Sequence, residues 1–288
     1  MVNVSIIITS RTEKFLNNTI NDLLAKATGE IEIIAVLDGY GDTPYKKVID
    51  PRVKYISFPL PVNLERRKRQ AVNAGVSISH GKYVMWIDAH CVVGKGFDEI
   101  LARDCKDNWI MVPRRYRMDY QKWDRKIDED RPPIDYVYPM WQYLKKKNRI
   151  AGYKWDLRSI ERKDIMIDDI MITQGSLIFT SRKWFDKMGF MKLEGYTGWG
   201  QEGEEVCMET IKAGGRAVVN KNTWYAHLHK GQMHGRMYKW TTVEPSYAYS
   251  YNYWVHENKE FFVKLIEDNL PIPNFNSDKW IDRLYNDK

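Results

Sequence analysis

The feature that most constrains the fold of this 288-residue chain is a short apolar run, residues 83–87, that leads directly into Asp88-Ala89-His90. A run of this length, bounded by Gly81 and by polar residues, is typical of a strand that is buried on both faces of a parallel sheet. In open α/β sheets, ligands bind just beyond the carboxyl ends of such strands. Because side chains alternate along a strand, Asp88 and His90 point to the same side. The sequence therefore predicts a divalent-cation site here, although a turn-closing aspartate beside an exposed histidine also fits this short spacing.

Two earlier apolar runs extend the same pattern. Residues 2–9 and 31–37 are almost entirely apolar, and between them Leu16, Ile20 and Leu23 recur with helical spacing. A strand–helix–strand unit of this kind predicts parallel strands joined by a right-handed crossover. With a further short strand at residues 53–58, the sequence predicts an α/β fold with a mainly parallel central sheet flanked by helices.

Polar residues that follow these strands are candidates for ligand contacts. Asp38 follows the second strand, where it could accept hydrogen bonds from a base or a ribose, or could simply belong to the turn Asp-Gly-Tyr-Gly-Asp. A helix is predicted at residues 63–75, and its first half carries Arg66, Arg67 and Arg69. Basic side chains oppose the dipole at a helix N-terminus. They therefore predict an anionic partner such as a diphosphate, with a solvated basic face as the alternative.

The net charge of +7 is concentrated in one part of the chain. Residues 112–163 contain 15 Lys and Arg against 8 Asp and Glu, whereas the rest of the chain is balanced. Aromatic residues are interleaved with these charges, which argues against a disordered linker. The stretch therefore predicts an ordered, loop-rich region with a polyanionic partner or acceptor, or alternatively a solvated basic loop.

The second half of the chain offers further acids and histidines. A strand at residues 175–180 and a glycine-rich turn at 195–203 precede Glu202, Glu204 and Glu205 at a helix start, where acids also favour the helix dipole. His227 and His229 point to one side if their segment is extended. The polar residues 231–239, with His234, have the composition of a lid.

Composition limits the class of protein. No apolar run approaches the ~20 residues of a membrane span, no signal peptide is evident, and three cysteines show no disulfide or metal spacing, so a cytoplasmic protein is expected. We expect a single domain, because no repeat or clear linker interrupts it. Within it we expect a nucleotide-sugar-binding half at residues 1–110, an acceptor and metal half at 111–240 that contains the basic, aromatic-rich insertion, and a helical extension at 241–288.

Five short motifs, in order, resemble the polypeptide N-acetylgalactosaminyltransferases. Ile87-Asp88-Ala89-His90-Cys91 is similar to their Asp-x-His motif, and the opening strand–helix–strand resembles the wider family 2 glycosyltransferases. The resemblance implies a GT-A fold and a glycosyltransferase activity that uses a nucleotide sugar. The other four segments are Gly152-Tyr153-Lys154-Trp155-Asp156-Leu157, Gly175-Ser176-Leu177-Ile178-Phe179, Trp199-Gly200-Gln201-Glu202-Gly203-Glu204-Glu205 and Ala226-His227.

The resemblance also implies roles for individual residues. Mn²⁺, or Mg²⁺, would bridge the diphosphate of the donor, and the base would be uracil. The implied metal ligands are Asp88, His90 and His227; the implied base and ribose contacts are Thr9, Arg11 and Asp38; Arg66 and Arg69 would lie beside the diphosphate; Trp199, Glu202 and Glu205 would lie at the sugar and acceptor side, with Glu202 or Glu205 as a possible catalytic base.

The acceptor does not follow from the resemblance. Gly203 stands where the family has asparagine, and the basic stretch carries no family motif beyond the tryptophan segment. Two acceptors stay open: a hydroxymethylated pyrimidine of DNA, and a cell-surface glycan or its precursor at a membrane surface. Transfer with retention or with inversion also stays open. A metal-dependent nucleotidyltransferase that releases pyrophosphate is the alternative enzyme, and a silent binding module is the alternative without catalysis.

Overall fold

The computed structural model describes residues 2–39, 46–61, 66–144, 147–229 and 243–273. The predicted lid at 231–239, with His234, and residues 274–288 of the expected helical extension lie outside the described residues. The strands are β1 (Val4–Ser10), β2 (Ile31–Asp38), β3 (Val53–Phe58), β4 (Tyr83–Asp88), β5 (Cys91–Val93), β6 (Trp109–Asp119), β7 (Asp124–Lys126), β8 (Val137–Leu144), β9 (Lys147–Lys154), β10 (Ile167–Asp169), β11 (Leu177–Ser181) and β12 (Arg216–His227). The helices are α1 (Leu16–Lys26), α2 (Lys68–Ser77), α3 (Phe97–Asp104), α4 (Asp156–Glu161), α5 (Arg182–Met188), α6 (Glu202–Lys212), α7 (Glu244–Tyr251), a π-helical segment (Asn252–Glu257) and α8 (Lys259–Glu267).

One ten-stranded sheet organises the fold, with its main strands in the order β10-β12-β6-β11-β4-β1-β2-β3. The strands β4, β1, β2 and β3 are parallel, as the strand–helix–strand pattern predicts. β11 lies antiparallel between β4 and β6, and β12 then runs parallel to β6. The sheet is therefore parallel from β3 to β4 and mixed beyond β4, within the predicted GT-A type of fold.

The core lies on both faces of this sheet. In β1, Ile7 belongs to the cluster that also contains residues of α2, α5 and α6, whereas Ile6 and Ile8 belong to the opposite cluster with residues of α1 and α3. All three isoleucines are fully buried. Burial of one such side chain contributes about 1.5–3 kcal/mol, so alternation along one strand stabilises helices on both sides.

Helix α2 packs directly on the sheet through Gly75. A Cβ atom at this position would lie 2.5 Å from Cγ2 of Ile7. The absence of a side chain therefore sets how closely α2 approaches β1. This helix begins at Lys68, later than the predicted residue 63, so Arg66 and Arg67 lie ahead of it at the carboxyl edge of the sheet.

The basic, aromatic-rich stretch is more regular than the sequence predicts. It extends β6, adds the short β7 and forms an antiparallel hairpin from β8 and β9. Tyr136, Tyr138 and Trp155 are buried in the core, so these aromatics fill the interior. Some of its basic side chains also pack on aromatic rings within the fold. Arg125 stacks on Trp224 at 4.5 Å from the ring centroid, and Arg158 stacks on Trp155 at 4.7 Å.

Two simpler expectations are also tested by the structure. The cysteines Cys91, Cys105 and Cys207 are all free and buried. Across the described ranges, every helix is too short or too polar to cross a bilayer.

Candidate active site

Three predicted metal ligands meet at the carboxyl edge of the sheet. Asp88 ends β4, and His90 follows two residues later. His227 ends β12, and pairing of β12 with β5 places it opposite Cys91. Nε2 of His90 and Nε2 of His227 are 2.9 Å apart, and Oδ2 of Asp88 lies 3.3 Å from His227 Nε2 and 3.7 Å from His90 Nε2.

The chemistry of these three side chains fits a divalent cation. Their candidate ligand atoms all lie within 4.8 Å of one another, which is compatible with neighbouring ligands around one ion. Burial holds the pKa of His227 well below its ordinary value, which favours the neutral imidazole that binds metals. Burial would raise the pKa of Asp88, but Lys68 and both imidazoles outweigh it, so this carboxyl stays ionised. Carboxylate and imidazole together suit Mn²⁺ among other divalent ions.

Lys68 is a site residue that sequence reasoning did not select. Its Nζ lies 2.8 Å from Oδ1 of Asp88 and donates to the carbonyl oxygen of Gly175, also at 2.8 Å. Burial would lower the pKa of Lys68, but the carboxylates of Asp88 and Glu202 raise it. The ammonium group is therefore charged beside Asp88, the predicted metal ligand. The sequence shows it only as one of several adjacent basic residues.

Asp38, the predicted base and ribose contact, is held between two guanidinium groups at the end of β2. Arg11 donates to its Oδ2, and Arg67 donates from Nη2 to its Oδ1 at 2.7 Å and from the backbone N–H to Oδ2 at 3.1 Å. The carboxylate thus ties the end of β1 and the start of α2 to the end of β2. Arg67, predicted only as a member of the basic helix, is the partner that fixes this corner.

A cavity of about 770 Å³ joins these groups. It runs from the Asp38 corner past the metal ligands to helix α6, and its walls include Lys68 and Glu204. Nine of the eleven predicted site residues line it: Thr9, Arg11, Asp38, Arg66, Asp88, His90, Trp199, Glu202 and His227.

Arg69 and Glu205, the other two, form a buried ion pair behind the cavity wall. Arg69 is 1% exposed and Glu205 is 0% exposed, and the guanidinium lies 3.8 Å from the centroid of the Tyr196 ring. Arg69 also donates to the carbonyl oxygen of Gly200 at 3.2 Å. The structure therefore places both residues where they support the turn that carries Trp199, and not where they face a diphosphate or an acceptor.

Two glutamates of α6 do face the cavity. Oε1 of Glu202 accepts a hydrogen bond from the Gly200 N–H at 2.7 Å. Glu204, to which the sequence analysis gave only a role at the helix start, also lines the wall. Burial, together with the charge of Glu202, raises the pKa of Glu204 to about 7. Both proton states of this carboxyl are thus accessible near neutral pH.

His229 packs against the predicted metal ligand His227. Its ring meets the His227 ring at an interplanar angle of 74°, with the centroids 4.8 Å apart, and it lines the cavity with Arg115 and Lys154. The sequence analysis left the role of His229 open.

Comparison with known proteins places this geometry in a family. The model of glycosyl transferase family 2 matches residues 5–189. The chain belongs to glycosyl transferase family 2. The matched range includes the Asp-x-His motif at the end of β4, where the sequence predicts a ligand site.

Two relatives extend the comparison. The protein is 24% identical over 241 residues to "Probable N-acetylgalactosaminyltransferase 7" of Caenorhabditis elegans, a match that spans 80% of this chain and 39% of that protein. The fold is also similar to a crystal structure of GalNAc-T7 with UDP, GalNAc and Mn²⁺, with a TM-score of 0.63 and 15% sequence identity. This match covers 100% of this chain and 55% of the GalNAc-T7 chain. This likeness confirms the predicted GT-A fold. The chain spans about two fifths to about half of the length of these relatives.

Proposed function

We propose that this family 2 protein is a metal-dependent glycosyltransferase that moves a sugar from a UDP-sugar to an acceptor hydroxyl. The observation that carries the proposal is the convergence of Asp88, His90 and His227 in one cavity with the Asp38 corner. A cation at the three ligands and a base at the corner would lie at the two ends of one nucleotide diphosphate. The similar GalNAc-T7 structure contains UDP and Mn²⁺, which supports the same ligands here.

The residues divide along the cavity by role. The nucleotide-end contacts Thr9, Arg11 and Asp38 belong to the proposed nucleotide-sugar half, residues 1–110, whereas His227 and the glutamates belong to the acceptor and metal half, residues 111–240. Residues 241–288 we propose as a helical extension. Lys68 and Arg66 present positive charge between the two ends, where a diphosphate would lie. We also propose a cytoplasmic location, which the free thiols support.

The transfer breaks the bond between the anomeric carbon and the diphosphate and forms one to the acceptor oxygen. When bound at its three ligands, the cation stabilises the charge that develops on the departing diphosphate. Lys68 adds a fixed positive charge at the same place. Of the two predicted base candidates, we retain Glu202, because Glu205 is enclosed with Arg69. Glu202 faces the cavity and can accept the acceptor proton or stabilise the oxocarbenium-like state.

For the acceptor we propose a hydroxyl on a larger anionic molecule, either a hydroxymethylated pyrimidine of DNA or a glycan at a membrane surface. The basic residues of 112–163 that are not stacked or ion-paired within the fold support this proposal. Arg131 is one exposed example. DNA binding that requires the hydroxymethyl group would select the first acceptor.

The first experiment measures donor turnover. The purified protein is incubated with UDP-, GDP- and dTDP-sugars, with and without Mn²⁺, while release of nucleoside diphosphate is followed. Slow release of UDP from one donor, only with Mn²⁺, is expected. Asp88→Asn should abolish it, and Asp107→Asn, which removes an exposed carboxylate, should leave it unchanged.

Three results would contradict the proposal. Release of pyrophosphate instead of a nucleoside diphosphate would show a nucleotidyltransferase. Equal turnover by Asp88→Asn would exclude the proposed metal site. If no donor turns over and calorimetry shows no Mn²⁺-dependent UDP binding, the protein is not this type of transferase.

A further inference from the structure

Arg115 is a buried cation in the active-site cavity that the proposed chemistry does not use. It lies in β6, is 6% exposed, and lines the cavity. One guanidinium nitrogen, Nη1, donates to Oε1 of Gln174, and Nε has no hydrogen-bond partner among the described residues. No carboxylate of the described residues lies within 4 Å of this guanidinium. A buried charge without a close counter-ion is unfavourable. Among the described residues, the guanidinium has the neutral partners Gln174 and Tyr225 and no carboxylate in an ion pair.

The neighbouring residue shows the contrast. Arg114, on the opposite face of the strand, forms an ion pair with Asp135 at 2.8 Å. Alternation along β6 therefore sends one arginine to a carboxylate and the next into the cavity. The charge of Arg115 acts on the carboxyl groups of Asp135 and Glu204, but neither forms an ion pair with it.

Strand pairing places Arg115 beside the strand that ends in the predicted metal ligand His227. It pairs in register with Tyr225, two residues before the metal ligand His227, and its Gln174 partner precedes Gly175. Lys154, from β9, lines the same wall. Lys68 and Arg66 supply the positive charge on the α2 side. A second group of cations thus lies on the β6–β9 side of the cavity.

We propose that Arg115, with Lys154, forms a subsite for an anionic group, a phosphate or a carboxylate, that the substrate carries in addition to the donor diphosphate. The proposal rests on the glycosyltransferase function and narrows its substrate class. The acceptor is the source that we favour, because the basic stretch of residues 112–163 provides both cations. A planar guanidinium with an unused Nε–H is suited to the oxygens of such a group.

The test measures binding of inorganic phosphate to the complex with Mn²⁺ and UDP by calorimetry. Arg115→Gln should weaken phosphate binding about tenfold or more, the usual scale for a lost charge-assisted hydrogen bond. Arg115→Lys should retain part of it. Arg131→Gln, which removes one exposed charge from the same stretch, should have no effect. Melting curves of each variant show whether it is folded.

Binding of UDP separates this proposal from the function on which it rests. If UDP binds with Mn²⁺ but phosphate binds Arg115→Gln as well as the wild type, the subsite is wrong and the transferase proposal stands. If Arg115→Gln weakens UDP itself, Arg115 belongs to the diphosphate site and the subsite is also wrong. If Mn²⁺-dependent UDP binding is missing in the wild type, the failure is that of the proposed function.

Turnover then distinguishes the two sources of the anion. If Arg115→Gln raises the KM, relative to the wild type, more for UDP-glucuronate than for UDP-glucose, the anion is a carboxylate on the donor sugar. If it raises the KM more for a phosphorylated acceptor than for its neutral counterpart, the anion is on the acceptor. The same KM change for charged and neutral substrates would overturn the proposal.

Discussion

At the scale of single residues, the site depends on how tertiary contacts change ordinary side chains. Asp88 and Lys68 are separated by 20 positions yet share an ion pair, and this keeps both charged in spite of burial. Glu204 has no ion-pair partner among the described residues, so burial raises its pKa. The type of a residue therefore identifies a candidate, and its neighbours decide its charge.

Glu204 predicts a pH dependence of stability. Its pKa is raised by burial to about 7 from an ordinary value of 4.5, so the folded state binds more protons than the unfolded state between these values. Stability is then lost as the pH rises through this window. Glu204→Gln, which cannot ionise, should gain about 3 kcal/mol over the wild type at pH 8 and little at pH 4.5.

Urea unfolding at both pH values measures this difference. Glu129→Gln, which removes an exposed acid, serves as the control and should change stability equally at both. A Glu204→Gln gain that is the same at pH 4.5 and pH 8 would disprove the raised pKa.

At the scale of elements, two contacts of α2 position the site. Gly75 lets the helix approach β1, and Arg69 joins it to α6 through Glu205. Because Lys68 begins the same helix, a shift of α2 would move the ammonium away from Asp88. Packing and catalysis are thus linked through one short helix.

Gly75→Ala should reverse the usual effect of alanine in a helix. In an unobstructed helix this change stabilises by about 0.5–1 kcal/mol, but here the new Cβ would lie 2.5 Å from Ile7. We expect a loss of about 1–3 kcal/mol from overpacking, measured by urea unfolding. Gln70→Ala, at an exposed position of α2, should stay within about 0.5 kcal/mol. Stabilisation by Gly75→Ala would show that the helix does not pack this closely.

The Arg69–Glu205 pair predicts non-additive stability. Arg69→Met leaves a buried carboxylate without its partner and should cost about 3–5 kcal/mol. Adding Glu205→Gln should recover part of this loss, because the unpaired charge is then removed. A double-mutant cycle by chemical unfolding measures the coupling. Additive losses would show that the two side chains do not interact.

At the scale of the whole molecule, the site is assembled from both halves of the chain. The cavity draws on the ends of β1, β2, β4 and β12 and on the starts of α2 and α6. A ligand that spans it contacts segments that are separate in the unfolded chain. Binding should therefore stabilise the folded state as a unit.

UDP and Mn²⁺ together should raise the melting temperature more than the sum of their separate effects. At 100 times the Kd, one ligand contributes about 2.7 kcal/mol, or about 5–10 °C for a chain of this size. Differential scanning fluorimetry measures the shift, and a chelator should remove it. The Asp88→Asn variant should show no Mn²⁺-dependent shift; an undiminished shift would place the ion elsewhere.

The sequence by itself determined the parallel strands β1 to β4 and the Asp88-x-His90 pair at the end of β4. It could do so because strand periodicity and strand-end residues are local patterns. Other cavity residues, such as Thr9 and Trp199, were predicted only because short motifs resemble a known family. Only the tertiary structure decided that Arg69 and Glu205 lie behind the wall, and that Lys68, Glu204 and Arg115 face it. These five depend on which side chains meet across distant strands and helices. Burial and pairing, which set their charges and their roles, are properties of those contacts and not of the order of residues.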